Sequence, residues 1–310
     1  MKHINNLMEQ DEKNNRLNLR AIPTGYTELD SKIRGLKKGE LILIAGKNNN
    51  GLIEFMSNLI ININKQNKSV LFNSYWRTSR EVVDDSLSNL VGIPAEKYYS
   101  ESTKLNEVQQ SYFLKELDTI KHFNLTVNDK AAIELHSLVA ELRKTHSKHR
   151  YDIIFLDSVD VIYLTNIYDT VEEKKIVMKT LRLLSDEFDI PIVVLSKIKD
   201  NRNLSINEQK PTYHDLNGID VYSDRTFFVY RPSVYGLTED EDGNQTDGMI
   251  KIIIENNGVG ERGTINLYLN EVTGRITDSS PIKDSNLKIS EPLRISLSFP
   301  LTNLSFILLK

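Results

Sequence analysis

Apolar residues gather in short runs separated by amphipathic stretches, and this alternation predicts the elements. Leu41-Ile42-Leu43-Ile44-Ala45 is continuously apolar, the pattern of a strand buried on both faces of a parallel sheet. A tight polar loop, Gly46 to Gly51, follows it, and Ile53, Met56, Leu59, Ile60 and Ile63 then recur at helical spacing. Val70-Leu71-Phe72 predicts a second strand, followed by helical stretches around Arg80 to Val91, Asn106 to Leu117 and Ala131 to Thr145. Tyr151 to Asp157 reads as a buried strand ending in an acid. Val171 to Phe188 is an amphipathic helix with Val177, Leu181, Leu184 and Phe188 on one face, and Ile190 to Leu195 is the next strand. Thr226 to Tyr230, Ile250 to Ile254 and Thr264 to Leu269 complete the set, the last two joined by a glycine-rich turn. The whole predicts an α/β fold with a mostly parallel central sheet and an antiparallel closing hairpin.

Two segments stand outside this pattern. Residues 1–20 are polar and read as a linker or helix remnant, and residues 280–310 are a Ser- and Leu-rich tail. The domain proper is expected over residues 21–279. Composition narrows the function classes. In 310 residues, 39 Lys+Arg face 43 Asp+Glu, a net charge of −4, which argues against a generally basic nucleic-acid binder but leaves room for a local groove. The absence of cysteine removes disulfide scaffolds, thiol catalysis and Cys-based zinc sites. The N-terminal stretch lacks a signal-peptide core, and Ile295 to Leu309 is interrupted and too short to span a bilayer. A cytoplasmic protein without a membrane partner is therefore expected.

The candidate chemistry lies after the first strand. A phosphate-binding loop has the form G-x-x-x-x-G-K-[ST]: backbone N–H groups wrap the phosphates, the lysine neutralises them and the hydroxyl holds Mg²⁺. Here Gly46-Lys47-Asn48-Asn49-Asn50-Gly51-Leu52-Ile53 has both glycines, but Leu52 and Ile53 stand at the lysine and hydroxyl positions. Asp157, ending a later buried strand, is placed as the Mg²⁺-associated carboxylate of such ATPases is.

Ile22-Pro23-Thr24-Gly25-Tyr26-Thr27-Glu28-Leu29-Asp30 and Gly35-Leu36-Lys37-Lys38-Gly39-Glu40-Leu41 resemble the opening of the RecA-like (P-loop NTPase fold) motor domain of DnaB-type replicative helicases. Pro191 to Ser196, Lys210-Pro211 to Asp215-Leu216, Ser223-Asp224 through Arg231 and Ile252 to Thr264 resemble its later motifs. RecA and KaiC-like ATPases share a looser form of the opening. The resemblance implies an ATP- and Mg-dependent hexameric ring that moves on single-stranded DNA. It also implies catalytic positions, and most hold other residues here. Trp76 occupies the position of the water-orienting glutamate, and Lys197 that of a glutamine sensor. Asn256 and Gly258 occupy those of the lysine and arginine offered to a neighbouring subunit. Asp157 is kept.

Phosphate charge facing Leu52 and Ile53 costs several kcal/mol, and a lost arginine finger costs about 10³–10⁵ in rate. The leading expectation is thus a DnaB-like pseudo-ATPase without a cofactor, acting through a replicative helicase, its own copies or DNA. The alternatives are an ATPase with relocated residues, using ATP and Mg with Lys47, Lys197 or Arg262 as substitute cations, and a KaiC-like oligomeric scaffold. The bland readings make Lys47 and Arg262 solvated turn residues, Lys197 an ion-pair partner for Asp157, and Trp76 a packing residue. Lys197, Lys199 and Arg202 are the candidate DNA-contacting cations.

Overall fold

The computed structural model describes residues 21–99, 105–130, 132–165, 167, 169–199, 209–258 and 261–279. In chain order these form α1 (Thr27–Ile33), β1 (Leu41–Gly46), α2 (Leu52–Asn64), β2 (Val70–Ser74), α3 (Ser79–Val91), α4 (Glu96–Tyr99) and α5 (Glu107–Lys121). Then come β3 (Leu125–Asn128), β4 (Ile133–Glu134), α6 (Leu135–His149), β5 (Ile153–Asp157), β6 (Ile162–Tyr163), α7 (Thr170–Phe188) and β7 (Ile192–Lys197). β8 (Arg225–Tyr230), β9 (Met249–Asn257), β10 (Gly263–Asn270) and β11 (Arg275–Thr277) close the domain. Nine strands make one sheet in the order β11-β10-β9-β8-β1-β7-β5-β2-β3. The strands from β3 to β8 run parallel, and β8, β9, β10 and β11 pair antiparallel.

All of β1 is buried, because helices cover both sheet faces and successive side chains alternate between them. Ile42 and Ile44 join Phe55, Leu59, Phe72, Phe155 and Leu195 in one core. Leu41 and Leu43 join Leu138, Leu142, Leu181 and Leu184 in the other. Buried Arg225, at the start of β8, donates to the carbonyls of Ile33 and Gly35 and pairs with Glu40 at 3.0 Å. It thereby fastens the opening segment to the sheet. In that segment the Asp30 carboxylate accepts from Thr24 N (2.8 Å), Thr24 Oγ1 (2.9 Å) and Gly25 N (3.1 Å). The Thr24-Gly25 and Asp30 pairing of the opening motif is thus a local turn lock.

Several boundaries differ from the sequence reading. Ile133 and Glu134, expected in a helix, pair with Ile162 and Tyr163 as a short parallel ladder, and Glu134 caps α6 through Ser137 N at 2.9 Å. β7 starts at Ile192 rather than Ile190 and runs to Lys197, where pairing with β1 ends. The edge strands β3 and β11 are too short and polar to signal themselves. Residues 1–20 and 280–310 lie outside the described residues.

Gly51 opens α2 at φ +85°, and a Cβ there would stand 2.7 Å from Ile250 Cδ1. Gly51→Ala is expected to lose about 1–3 kcal/mol of stability, checked by urea denaturation against wild type.

Candidate functional site

Parallel pairing gathers the chemistry-bearing positions at one sheet edge. Gly46 of β1 lies beside Lys197 of β7, and Ser74 of β2 beside Asp157 of β5. The loop after β1, the Tyr75-Trp76-Arg77 turn after β2, Asp157 and Lys197 therefore occupy the carboxyl ends of adjacent strands, where open α/β sheets bind ligands.

The loop is held by its own chain. Asn50, 1% exposed, donates from Nδ2 to Tyr235 Oη at 2.8 Å and to the Asn48 carbonyl at 3.0 Å, and its Oδ1 accepts from Arg231 N at 2.8 Å. Arg231 Nη1 donates to the Asn49 carbonyl at 3.3 Å, and Nη2 pairs with Glu271. Lys47 is not the solvated turn residue of the bland reading. It is 2% exposed, donates to Gln209 Oε1 at 2.9 Å and lies 5.9 Å from the Tyr235 ring centroid. Leu52 is buried in the core with Phe55 and Met56, and Ile53 is half-buried. Asn48 and Asn49 are exposed, Asn49 at φ +59°, a conformation that asparagine tolerates better than most residues.

Lys197 and Trp76 also depart from their bland readings. Lys197 Nζ sits over the Trp76 ring, 4.0 Å from its centroid, rather than paired with Asp157. Trp76 is 52% exposed and so is not a core packing residue. Lys199 is exposed, and Arg202 lies outside the described residues. Arg262 is exposed, as a turn residue would be.

Asp157 is fully buried, and neither carboxylate oxygen has a hydrogen-bond partner among the described residues. Desolvation pushes its carboxyl above the ordinary aspartate value, opposed by Arg77 and Lys197 and aided by Asp160. Asp160 is itself engaged by Lys174 at 2.5 Å and by Lys197 N at 2.8 Å. Nearby, burial and then the charges of Glu141 and Asp157 push the Tyr75 phenol up. The ATP and Mg²⁺ implied by the resemblance can be tested against this set. Ile53 supplies no oxygen, and two fixed cations act on the carboxylate that would face the metal. Among the described residues no three or more His, Asp or Glu side chains gather as a metal-holding group. Such a set does not match a hydrated magnesium ion, which keeps oxygen ligands throughout.

Asn256 and Gly258 are not part of this edge. Asn256 pairs with Thr226 near the start of β8, whereas the loop lies beside the end of β8, where Gly46 meets Val229. Asn256 Nδ2 donates to the Ser223 carbonyl at 3.3 Å, and its Oδ1 accepts from Gly258 N at 3.3 Å.

The profile of the DnaB-like helicase C terminal domain matches residues 21–278. The chain belongs to this family. The replicative DNA helicase DnaB of Helicobacter pylori (strain ATCC 700392 / 26695) is 25% identical over 251 residues, covering 79% of this chain and 50% of that protein. Its counterpart in Rickettsia typhi is 26% identical over 277 residues, covering 80% of this chain and 55% of that protein. The chain thus spans about half the length of these curated relatives. Among solved structures, one described as an ATPase domain superposes with a TM-score of 0.78 at 19% identity, covering 89% of this chain and 98% of that one. A DnaB-like replicative helicase, described with its interactions with primase, gives 0.76 at 19% identity, covering 89% and 67%. At these identities the likeness establishes the RecA-like DnaB ATPase fold. Among the described residues no helix is long and apolar enough to cross a membrane.

Arg77, Arg231, Tyr235 and Gln209 were not singled out by sequence. Arg77 adjoins Trp76 and was findable as a cation at a strand end; the others come from distant segments without a local signal.

A buried carboxylate whose pKa is raised on folding costs stability above its unfolded pKa, as pH rises through the folded value. Asp157→Asn is therefore expected to raise the melting temperature at neutral pH, by about 2–4 °C per kcal/mol relieved. Calorimetric scans should show the gain vanish at acid pH, below the ordinary aspartate value, where both states are protonated.

Proposed function

We propose that this DnaB-like domain is a non-hydrolysing pseudo-ATPase that works in replication through contacts with a replicative helicase, with other copies of itself or with single-stranded DNA. The observation that carries this reading is the fate of the loop: Leu52 lies in the core, and Asn50 and Lys47 bond to Tyr235, Arg231 and Gln209. Apolar groups at the lysine and hydroxyl positions leave phosphate charge without a partner, at a cost of several kcal/mol. Relocated catalysis through Lys47 is disfavoured by its burial on Gln209 and Tyr235. The contact role draws support from the relatives, named as replicative helicases, and from the solved relative described with primase. Asn256 and Gly258 lie at the opposite end of β8 from the loop, so they do not serve the loop of their own chain.

The purified chain is expected to release no phosphate from ATP with single-stranded DNA present. A DNA-stimulated rate that Asp157→Ala or Lys197→Ala abolishes overturns the reading. Light scattering should give a mass above one chain for the protein alone, or co-elution with a DnaB-type replicative helicase when the two are mixed; a monomer that does not co-elute removes the protein-contact role.

A further inference from the structure

We propose that the cavity beside Tyr230, at the carboxyl end of β8, receives the basic end of α6 from a second copy of this chain. This contact rests on the self-association named above and supplies its surface.

The cavity holds about 400 Å³, within the range of about 300–1,000 Å³ usual for occupied pockets. Buried Tyr230 lies in its wall with Pro232 and Leu237. One face of the Tyr230 ring stacks on Tyr235, the centroids 5.6 Å apart. Burial, then Tyr235 and Glu241, push its phenol up to about 12, so the ring stays neutral. Also lining the cavity, Lys251 and Asp240 neutralise each other at 2.8 Å, their side chains 10% and 2% exposed. Glu239 and Glu241 are exposed, and Lys210 answers them with a single charge, 3.5 Å from Glu241. The opening therefore carries surplus negative charge. The surrounding loop extends it: residues 237–247 hold five carboxylates, Glu239 to Asp242 and Asp247, and no Lys or Arg. A ring, apolar walls and exposed carboxylates suit a lysine or arginine, whose apolar stem packs while its charged head pairs.

The end of α6 supplies such residues. Arg143-Lys144-Thr145-His146-Ser147-Lys148-His149-Arg150 contains four fixed cations and no acid. Arg143 is engaged by Glu187 at 2.7 Å. Lys144, Lys148 and Arg150 are exposed and make no ion pair among the described residues. Lys144 and Lys148 stand one turn apart, so they share a face of the helix.

One chain cannot close this pair on itself. α6 ends just before β5 begins, so its basic end lies at the amino ends of the parallel strands, whereas the cavity lies at their carboxyl ends. Strands of five and six residues, at about 3.3 Å per residue, keep the two roughly 15–20 Å apart along the sheet. The contact is therefore heterologous: each copy offers its cavity to one neighbour and its α6 end to another.

Sedimentation velocity on the whole chain tests this contact. Wild type should self-associate at low salt and lose about tenfold or more in affinity near 1 M salt, where the screening length is about 3 Å. The double variants Glu239→Lys/Glu241→Lys and Lys144→Glu/Lys148→Glu should each associate at least about tenfold more weakly, since each sets like charges face to face. An equal mixture of the two should recover association to within about threefold of wild type, because the reversed cavity of one meets the reversed helix of the other. Circular dichroism melts check that both variants fold; Glu241→Gln and Lys148→Gln stand in for either that does not. A wild type that stays monomeric, double variants that associate as wild type does, or a mixture that stays apart overturns the contact. A wild-type monomer that co-elutes with a DnaB-type replicative helicase leaves the reading above standing without this contact. Phosphate release from ATP sinks that reading without changing sedimentation.

Discussion

Burial of β1 between two parallel neighbours is the constraint on which the rest of the structure depends. A strand paired on both edges and covered on both faces has no freedom of register, because a one-residue slip would exchange its two apolar faces. Fixing β1 fixes where Gly46 ends, which residue of β7 stands beside it and where α2 begins. The pairing of β2 with β5 sets Ser74 against Asp157 in the same way. Every position at the candidate edge inherits its place from these ladders, so the edge keeps its geometry after its chemical side chains have changed.

What has changed is the use of charge. Lys47 is turned into the protein, Arg231 braces the loop, Lys197 rests on an indole, and Arg77 leans on Phe72 beside Asp157. Each cation has an internal role that stabilises the edge, since a guanidinium or ammonium packed on a ring and bonded on one side needs less water. Asp157 stands apart, a carboxylate buried without a hydrogen bond among the described residues, its pKa raised mainly by desolvation. Unrelieved groups of this kind collect at functional sites more often than elsewhere.

The closing strands separate two jobs. Buried Arg225, at the start of β8, ties the opening segment to the sheet, and Arg231, just past the end of β8, ties the loop. Asn256, across from Thr226, belongs to the first end. One end of the sheet thus carries the anchor of the opening segment and the far end of β9, while the braces of the loop stand at the other.

The sequence by itself determined the strand and helix signals, the two-faced burial of β1, the loop with Leu52 and Ile53, and the family. Those properties live in local periodicity and in motifs a few residues long. It misplaced Ile133-Glu134 because a two-residue ladder leaves no period to read, and it passed over β3 and β11 because they are short, polar edge strands. Only the tertiary structure decided what Lys47, Trp76 and Lys197 do. Their partners come from segments remote in sequence, and whether an ammonium meets water, a carboxylate or a ring depends on packing that no local pattern encodes. Arg77 beside Asp157 is of the same kind: the two residues are neighbours because β2 pairs with β5.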